Sequence, residues 1–157
     1  MAIVIALGSN RAHGRHGAPR RVVAAALRAL ADAGIAVERR SRIHTTAPLG
    51  PSQRRYANAV AAVATDLPPG ALLGLLHDIE DDFGRRRQRR WGARVLDLDL
   101  IAYHDRVRGG PGLYLPHPAM HLRRFVLAPM MEVAPTWRHP ILGLTVRQMY
   151  ARLTARR

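Results

Sequence analysis

The chain has 157 residues, with 25 lysine or arginine residues against 11 acidic ones and a formal net charge of +14. Every one of the 25 cations is an arginine, which excludes a P-loop NTPase and a Schiff-base enzyme because both need a lysine. The chain has no cysteine, which excludes disulfides, thiolate nucleophiles and cysteine-ligated zinc.

The length predicts one domain spanning residues 1–157, and the 48% hydrophobic content is enough for a normal core. The apolar start, Ala2 to Leu7, follows no basic segment, so we interpret it as a first strand and expect a cytoplasmic protein. The strong positive charge favours an anionic partner: nucleic acid, an acidic membrane surface or a phosphorylated small molecule. A codon bias toward arginine is the simpler explanation for most of the surface positions.

The first half of the chain reads as strand, helix, strand. Residues 2–7 predict a strand that breaks at Gly8-Ser9-Asn10. Pro19 suits the first turn of a helix whose apolar stripe ends at Gly34. Over residues 35–46, two sets of side chains alternate along the chain, which predicts a half-buried strand.

The second half adds strand, helix, strand and two further helices. Residues 56–65 predict a strand with Tyr56 and Asn58 on one face. Pro68-Pro69 is expected to open a second helix, which Gly84 stops. Residues 95–103 form a strand, 105–112 a turn region, and 121–133 and 145–153 helices. This order predicts an α+β fold with a ferredoxin-like βαββαβ core and extra C-terminal helices, in three layers α/β/α.

The acidic residues are concentrated in one segment, because six of the eleven lie between Asp78 and Asp99. On the strand there, Leu96, Leu98, Leu100 and Ala102 should face the core, which places Asp97 and Asp99 together on the other face. Two carboxylates at that spacing, about 6.6–7 Å apart, can hold a pair of hard cations. The simpler alternative is a polar outer face on a one-sided strand, although aspartate is depleted in strands.

Just before this strand, residues 84–94 form an arginine-rich segment bounded by glycine. Such a segment is typically a solvated basic face or a nucleic-acid patch. Next to two aspartates, a polyphosphate that carries Mg²⁺ would satisfy both sets of charges, with arginine forks on the phosphate oxygens. Trp91 within it could cover an aromatic ring or anchor the segment in the core.

These residues resemble a known family. The run from Arg90 to Ile101 is similar to the signature of the 6-hydroxymethyl-7,8-dihydropterin pyrophosphokinase (HPPK) family of the folate pathway. Further resemblances follow in the same order over roughly residues 2–153: Ala6-Leu7-Gly8-Ser9-Asn10, Thr46-Ala47-Pro48-Leu49-Gly50-Pro51 with Tyr56-Ala57-Asn58, and Leu115-Pro116-His117-Pro118 with Arg123 and Phe125.

The resemblance implies an ATP-dependent transfer of pyrophosphate to the hydroxymethyl group of a reduced pterin, with release of AMP. It implies that two Mg²⁺ ions bind Asp97 and Asp99, and that ATP and the pterin are the partners, without nucleic acid or membrane, in a monomer. The implied phosphate contacts are Arg85, Arg87 and Arg94; those on the nucleotide side are Glu80, His117 and Arg123; and those lining the pterin site are Thr46, Leu49, Tyr56, Asn58, Trp91 and Phe125.

Several alternatives stay open at this point. Tyr56 and Phe125 could be core aromatics, and His117 could be a rigid-turn residue between two prolines. Residues 11–21 are longer and more basic than the family pattern suggests, and His77 stands where some members carry a glutamine that touches ATP. A basic ferredoxin-like RNA-binding protein and a divergent enzyme for a modified pterin are the competing functions.

Overall fold

The computed structural model of the chain describes residues 2–10, 17–46, 56–84 and 95–155. The order of its main elements confirms the predicted succession of strands and helices. These elements are β1 (Ile3–Ser9), α1 (Pro19–Asp32), β2 (Ala36–Arg40), β3 (His44–Thr46), β4 (Tyr56–Ala64), α2 (Pro69–Gly84), β5 (Asp97–Tyr103), β6 (Arg108–Gly109), β7 (Tyr114–Leu115), α3 (Arg124–Val133) and α4 (Val146–Ala155).

The main sheet is antiparallel with the strand order β2–β4–β1–β5, and β3 pairs with β4 beside β2. Helices α1 and α2 bury their apolar stripes against one face of this sheet, around Leu30, Leu72 and Leu76. Helices α3 and α4 cover the other face, around Leu127 and Met149. The predicted ferredoxin-like core and its three layers are therefore confirmed. No helix in the described part of the chain is long and apolar enough to cross a membrane.

Helix α1 begins and ends as the sequence predicts. Pro19 occupies its first turn, where a missing N–H costs nothing. Gly34 follows the helix with φ of +89°, and the amide of Ile35 closes the end by donating to the carbonyl of Leu30 at 3.0 Å.

The strand predicted over residues 35–46 is interrupted, and Ser41 is the reason. Its side chain is buried, and its Oγ accepts a hydrogen bond from the amide of Val60 at 3.0 Å while donating to the carbonyl of Arg42 at 2.7 Å. A hydroxyl thus replaces a backbone group in the ladder, so the edge splits into β2 and β3.

The alternation predicted for β5 is correct for Leu96, Leu98 and Leu100 but wrong for Ala102. The register between β1 and β5 shifts because Val4 pairs with Ala102 whereas Ile5 pairs with Leu100. The extra residue, Ile101, forms a β-bulge, and bulges reverse the facing of the residues beyond them. Ala102 therefore packs under α3 and α4, on the opposite side from the three leucines.

Two predicted segments contain more structure than expected. The turn region 105–112 contributes to a small hairpin, in which β6 pairs with β7. The helix predicted over 121–133 divides into a 3-10 turn, Met120–Leu122, and helix α3. The division falls at Arg123, whose backbone is extended at φ −112° and ψ 107°.

Candidate active site

A row of four residues crosses the sheet on the face that α3 covers. Asp97 on β5 pairs with Gly8 on β1, Gly8 pairs with Asn58 on β4, and Asn58 pairs with His44 on β3. Directly paired residues of antiparallel strands point to the same side of a sheet. The row therefore presents a carboxylate, an open glycine, an amide and an imidazole to one space.

Gly8 keeps the centre of this row open. A Cβ built on Gly8 would lie 3.0 Å from Oδ1 of Asn58, which is too close for an ordinary contact. The absence of a side chain here lets the amide of Asn58 lie over the backbone of β1. The Gly-Ser-Asn sequence that ends the first strand thus shapes the site and does not only terminate a strand.

A cavity of about 800 Å³ lies between this row and helix α3. Helix α3 presents Phe125, Ala128 and Pro129 to the cavity, a spacing of three and four residues that marks one helical face. Leu127 and Met130, on another side of the helix, pack into the core, and Val126 contributes to both the core and the cavity wall. The further lining residues include Ser9, Asn10, His44, Tyr56, Asn58, Asp97, Asp99, Arg123 and Arg124.

The two aspartates share the cavity side of β5, as their spacing predicts. Asp97 is exposed and Asp99 is half-buried. Between them, the amide of Leu98 donates a 2.7 Å hydrogen bond to Oε2 of Glu80 on α2. Glu80 therefore braces the strand from the far side of the sheet, while the two aspartates remain directed to the cavity.

The donors around the cavity suit a hard divalent cation. Magnesium prefers oxygen ligands and is typically held by one or two carboxylates together with substrate phosphates. Asp97 and Asp99 supply two carboxylates on a wall with room for a ligand. No cluster of three or more metal-ligating side chains occurs in the described ranges.

His117 lies beside the aspartate wall. Its amide donates to the carbonyl of Ile101 at 2.8 Å, and its Nδ1 accepts from the amide of Ala119 at 3.2 Å. Burial lowers the pKa of His117 below its usual 6.5, and although Asp99 opposes this effect, Arg123 adds to it. The imidazole therefore favours its neutral form, and it lies close to the charges of Asp99 and Arg123.

Phe125 and Tyr56 are not core aromatics. Phe125 is 49% exposed and Tyr56 is 40% exposed, and both line the cavity. The guanidinium of Arg123 lies 5.6 Å from the centre of the Phe125 ring, within the range of a cation–π contact. The exposed rings exclude the alternative that these two residues merely fill the interior.

The structure gathers most of the described candidates in one place. Tyr56, Asn58, Asp97, Asp99, Arg123 and Phe125 line the same cavity. His117 adjoins it, and Glu80 supports it through Leu98. The remaining candidates lie outside the described residues: Leu49, Arg85, Arg87, Trp91 and Arg94, together with the side chain of Thr46.

Sequence reasoning missed one polar pair at this site. His44 lines the cavity, and its Nε2 lies 2.5 Å from Oε2 of Glu132 on α3. The two residues are 88 positions apart in the chain, and neither belongs to a recognisable spacing motif. Only the packing of α3 across the sheet edge brings them together.

Comparison with known proteins agrees with the geometry. The model of the 7,8-dihydro-6-hydroxymethylpterin-pyrophosphokinase (HPPK) family matches residues 4–135. The chain belongs to this family.

Curated relatives named 2-amino-4-hydroxy-6-hydroxymethyldihydropteridine pyrophosphokinase include proteins of Synechocystis sp., Haemophilus influenzae and Pseudomonas aeruginosa. They are 45%, 41% and 40% identical over 74%, 83% and 88% of this chain, and the matches cover 60%, 79% and 83% of the relatives. Among solved structures, the Plasmodium falciparum HPPK-DHPS crystallised with pteroate superposes with a TM-score of 0.73 at 11% identity, over 99% of this chain and 42% of that one. The superposition supports the HPPK fold of the chain.

Proposed function

We propose that this chain transfers pyrophosphate from ATP to the hydroxymethyl group of 6-hydroxymethyl-7,8-dihydropterin and releases AMP. As a member of the HPPK family, the chain is a transferase of the pyrophosphokinase class that acts in folate biosynthesis. The single observation that carries the proposal is the shared cavity, where two aspartates face an amide and two exposed aromatic rings.

The pterin side of the cavity is its aromatic end. Phe125 and Tyr56 offer ring faces for a flat heterocycle, and offset stacking contributes about 0.5–1.5 kcal/mol beyond burial. Asn58 presents an amide, which has both a donor and an acceptor for the amide-like edge of a pterin. Thr46, Leu49 and Trp91 complete this set by resemblance to the family.

The nucleotide side is the aspartate end. We assign two Mg²⁺ ions to Asp97 and Asp99, His117 and Arg123 to the nucleotide, and Arg85, Arg87 and Arg94 to the phosphates. Bound magnesium would supply neutralisation of phosphate charge. Glu80, assigned to the nucleotide side by resemblance, supports that side through its hydrogen bond to Leu98.

The reaction needs no protein nucleophile. The hydroxymethyl oxygen of the pterin forms a bond to the β-phosphorus of ATP, the bond from that phosphorus to the α-bridging oxygen breaks, and AMP leaves with that oxygen. The hydroxyl proton passes to solvent. Positioning and charge neutralisation carry most of the catalysis in transfers of this type. The aromatic end of the cavity would position the pterin, and the aspartate end would hold the cations that neutralise the phosphates.

The expected setting is a cytoplasmic monomer that binds ATP and a reduced pterin and no nucleic acid. The RNA-binding alternative needs an open sheet face with stacking aromatics. Helices α1 and α2 cover one face of this sheet, and α3 and α4 pack on the other. The open part of the second face carries Asp97 and Asp99, whose charge would repel RNA, and this argues against that alternative.

The test is incubation of the protein with Mg²⁺, ATP and 6-hydroxymethyl-7,8-dihydropterin, followed by chromatographic measurement of AMP. We expect AMP to form only when the pterin is present. An absence of AMP with this pterin, but its release with a side-chain-modified pterin, would assign the chain to another pterin. An absence of AMP with both, accompanied by salt-sensitive RNA binding, would overturn the proposal.

A further inference from the structure

His44 and Glu132 form a polar pair at the edge of the cavity that the family signature does not include. Nε2 of His44 and Oε2 of Glu132 lie 2.5 Å apart, and the two side chains are 27% and 28% exposed. The other carboxylate oxygen, Oε1, accepts a hydrogen bond of 2.8 Å from the amide of Arg42. Glu132 thus holds both the imidazole and the backbone of the segment that leads into β3.

The pair connects a cavity-lining residue of β3 with helix α3. Glu132 follows Phe125, Ala128 and Pro129 at positions i+7, i+4 and i+3, so it continues the helical stripe that faces the cavity. His44 is directly paired with Asn58 in the sheet. The pair therefore joins the helix that carries Phe125 to the strand position beside Asn58, at the pterin end of the site.

We propose that His44 is a positioning residue for the pterin and that Glu132 sets its orientation. This inference rests on the proposed function. Since Glu132 engages Nε2, Nδ1 and the ring face are the parts of the imidazole that remain for a ligand. A carboxylate that fixes one ring nitrogen of a histidine also fixes the ring plane, as it does around bound metals and in catalytic triads.

Other charged groups near the pair do not compete for the imidazole. Arg42 reaches the same carboxylate, with Nε 3.7 Å from Oε1, but its side chain is 84% exposed. An exposed ion pair of this kind contributes little. The backbone amide of Arg42 and the imidazole of His44 are the hydrogen-bonded partners of Glu132.

The decisive experiment measures KM for the pterin, KM for ATP and kcat in His44→Ala, Glu132→Gln and Thr45→Ala. Thr45 is the matched control because it is exposed, next to His44 on β3 and directed to the other face. We expect His44→Ala to raise the pterin KM about threefold to tenfold, the loss of one hydrogen bond, with KM for ATP unchanged. Glu132→Gln should give a smaller rise in the same direction, and His44→Gln should recover part of the loss.

The outcomes separate this inference from the proposed function. No AMP from the wild-type protein would refute the function itself. If the wild type forms AMP while the pterin KM of His44→Ala matches that of Thr45→Ala, the positioning role is wrong. The positioning role would also be wrong if His44→Ala raised KM for the pterin and KM for ATP equally and lowered the free energy of unfolding. A purely structural role would affect the binding of both substrates. Should His44→Ala not fold, Glu132→Gln decides, because its amide still accepts from Arg42.

Discussion

Glu80 accepts a 2.7 Å hydrogen bond from the amide of Leu98, the residue between Asp97 and Asp99. The donor belongs to β5 and the acceptor to α2, so a helix on one side of the sheet braces the strand that carries the acidic residues on the other. Through this contact we expect Glu80, which lies outside the cavity, to affect the position of Asp97 and Asp99 inside it.

Replacing Glu80 with alanine should lower both stability and activity. The amide of Leu98 loses a charged acceptor, which costs about 1.5–3 kcal/mol, and the strand between the two aspartates loses its brace. Glu80→Gln should recover most of the stability because an amide oxygen still accepts. Urea unfolding and AMP release measure the two effects. The exposed Asp81 on the same helix supplies the control, and identical behaviour of Glu80→Ala and Asp81→Ala would refute the bracing role.

Neutralising either aspartate should abolish most activity without unfolding the protein. Asp97→Asn and Asp99→Asn keep the side-chain shape but remove charge that a cation needs, and each 1.36 kcal/mol lost from the transition state costs about tenfold in rate. We expect kcat to fall about a hundredfold or more, because a bound cation stabilises the charge of the transition state by several kcal/mol. AMP release measures it, with Asp105→Asn on an exposed turn as the control. Activity within threefold of that control would exclude a role in cation binding.

Gly8→Ala should weaken pterin binding with little effect on folding. The new Cβ meets Oδ1 of Asn58 at 3.0 Å, and the flexible end of that side chain can move away cheaply. We expect the pterin KM to rise about threefold to tenfold, the value of one displaced hydrogen bond. Gly74→Ala is the matched control, because nothing lies within 4 Å of its Cβ on α2. If Gly8→Ala left the pterin KM unchanged, the side-chain amide of Asn58 would have no role in binding the pterin.

Acid should destabilise the protein partly through His139. Burial lowers the pKa of this imidazole below 6.5, and His121 adds to the effect. Its Nδ1 accepts from the amides of Ile141 and Leu142 at 3.2 and 3.1 Å, which protonation of that nitrogen would break.

Because the folded pKa of His139 is the lower one, its contribution to stability is present above pH 6.5 and is lost as the pH falls below it. NMR titration of the His139 ring should give a midpoint below 6.5, and the unfolding free energy should fall over the same range. A midpoint at or above 6.5 would contradict this account.

Much of the fold can be predicted from the sequence because helix ends and strand faces depend on residues that are close together in the chain. Pro19 and Gly34 mark the ends of α1, and alternating leucines place Asp97 and Asp99 on one face. The interruption at Ser41 and the bulge at Ile101 escape such reasoning, since each depends on a hydrogen bond or register set by a neighbouring strand.

The candidate site divides in the same way. Asn58 and Phe125 fit a family pattern and meet in one cavity, whereas His44 and Glu132 become neighbours only when α3 crosses the sheet edge. The role of residues on the arginine-rich segment 85–94 stays a prediction, because that segment lies outside the described residues.

In the proposed reaction, the β- and γ-phosphates leave ATP together as one pyrophosphate group. The measurement uses ATP that carries ³²P at the β-phosphorus, with Mg²⁺ and 6-hydroxymethyl-7,8-dihydropterin, and follows the radioactive label by chromatography. We predict that all the transferred label appears in a pterin pyrophosphate, with unlabelled AMP formed in equal amount. Labelled ADP together with an unlabelled pterin monophosphate would refute pyrophosphate transfer, because it would mean attack at the γ-phosphorus.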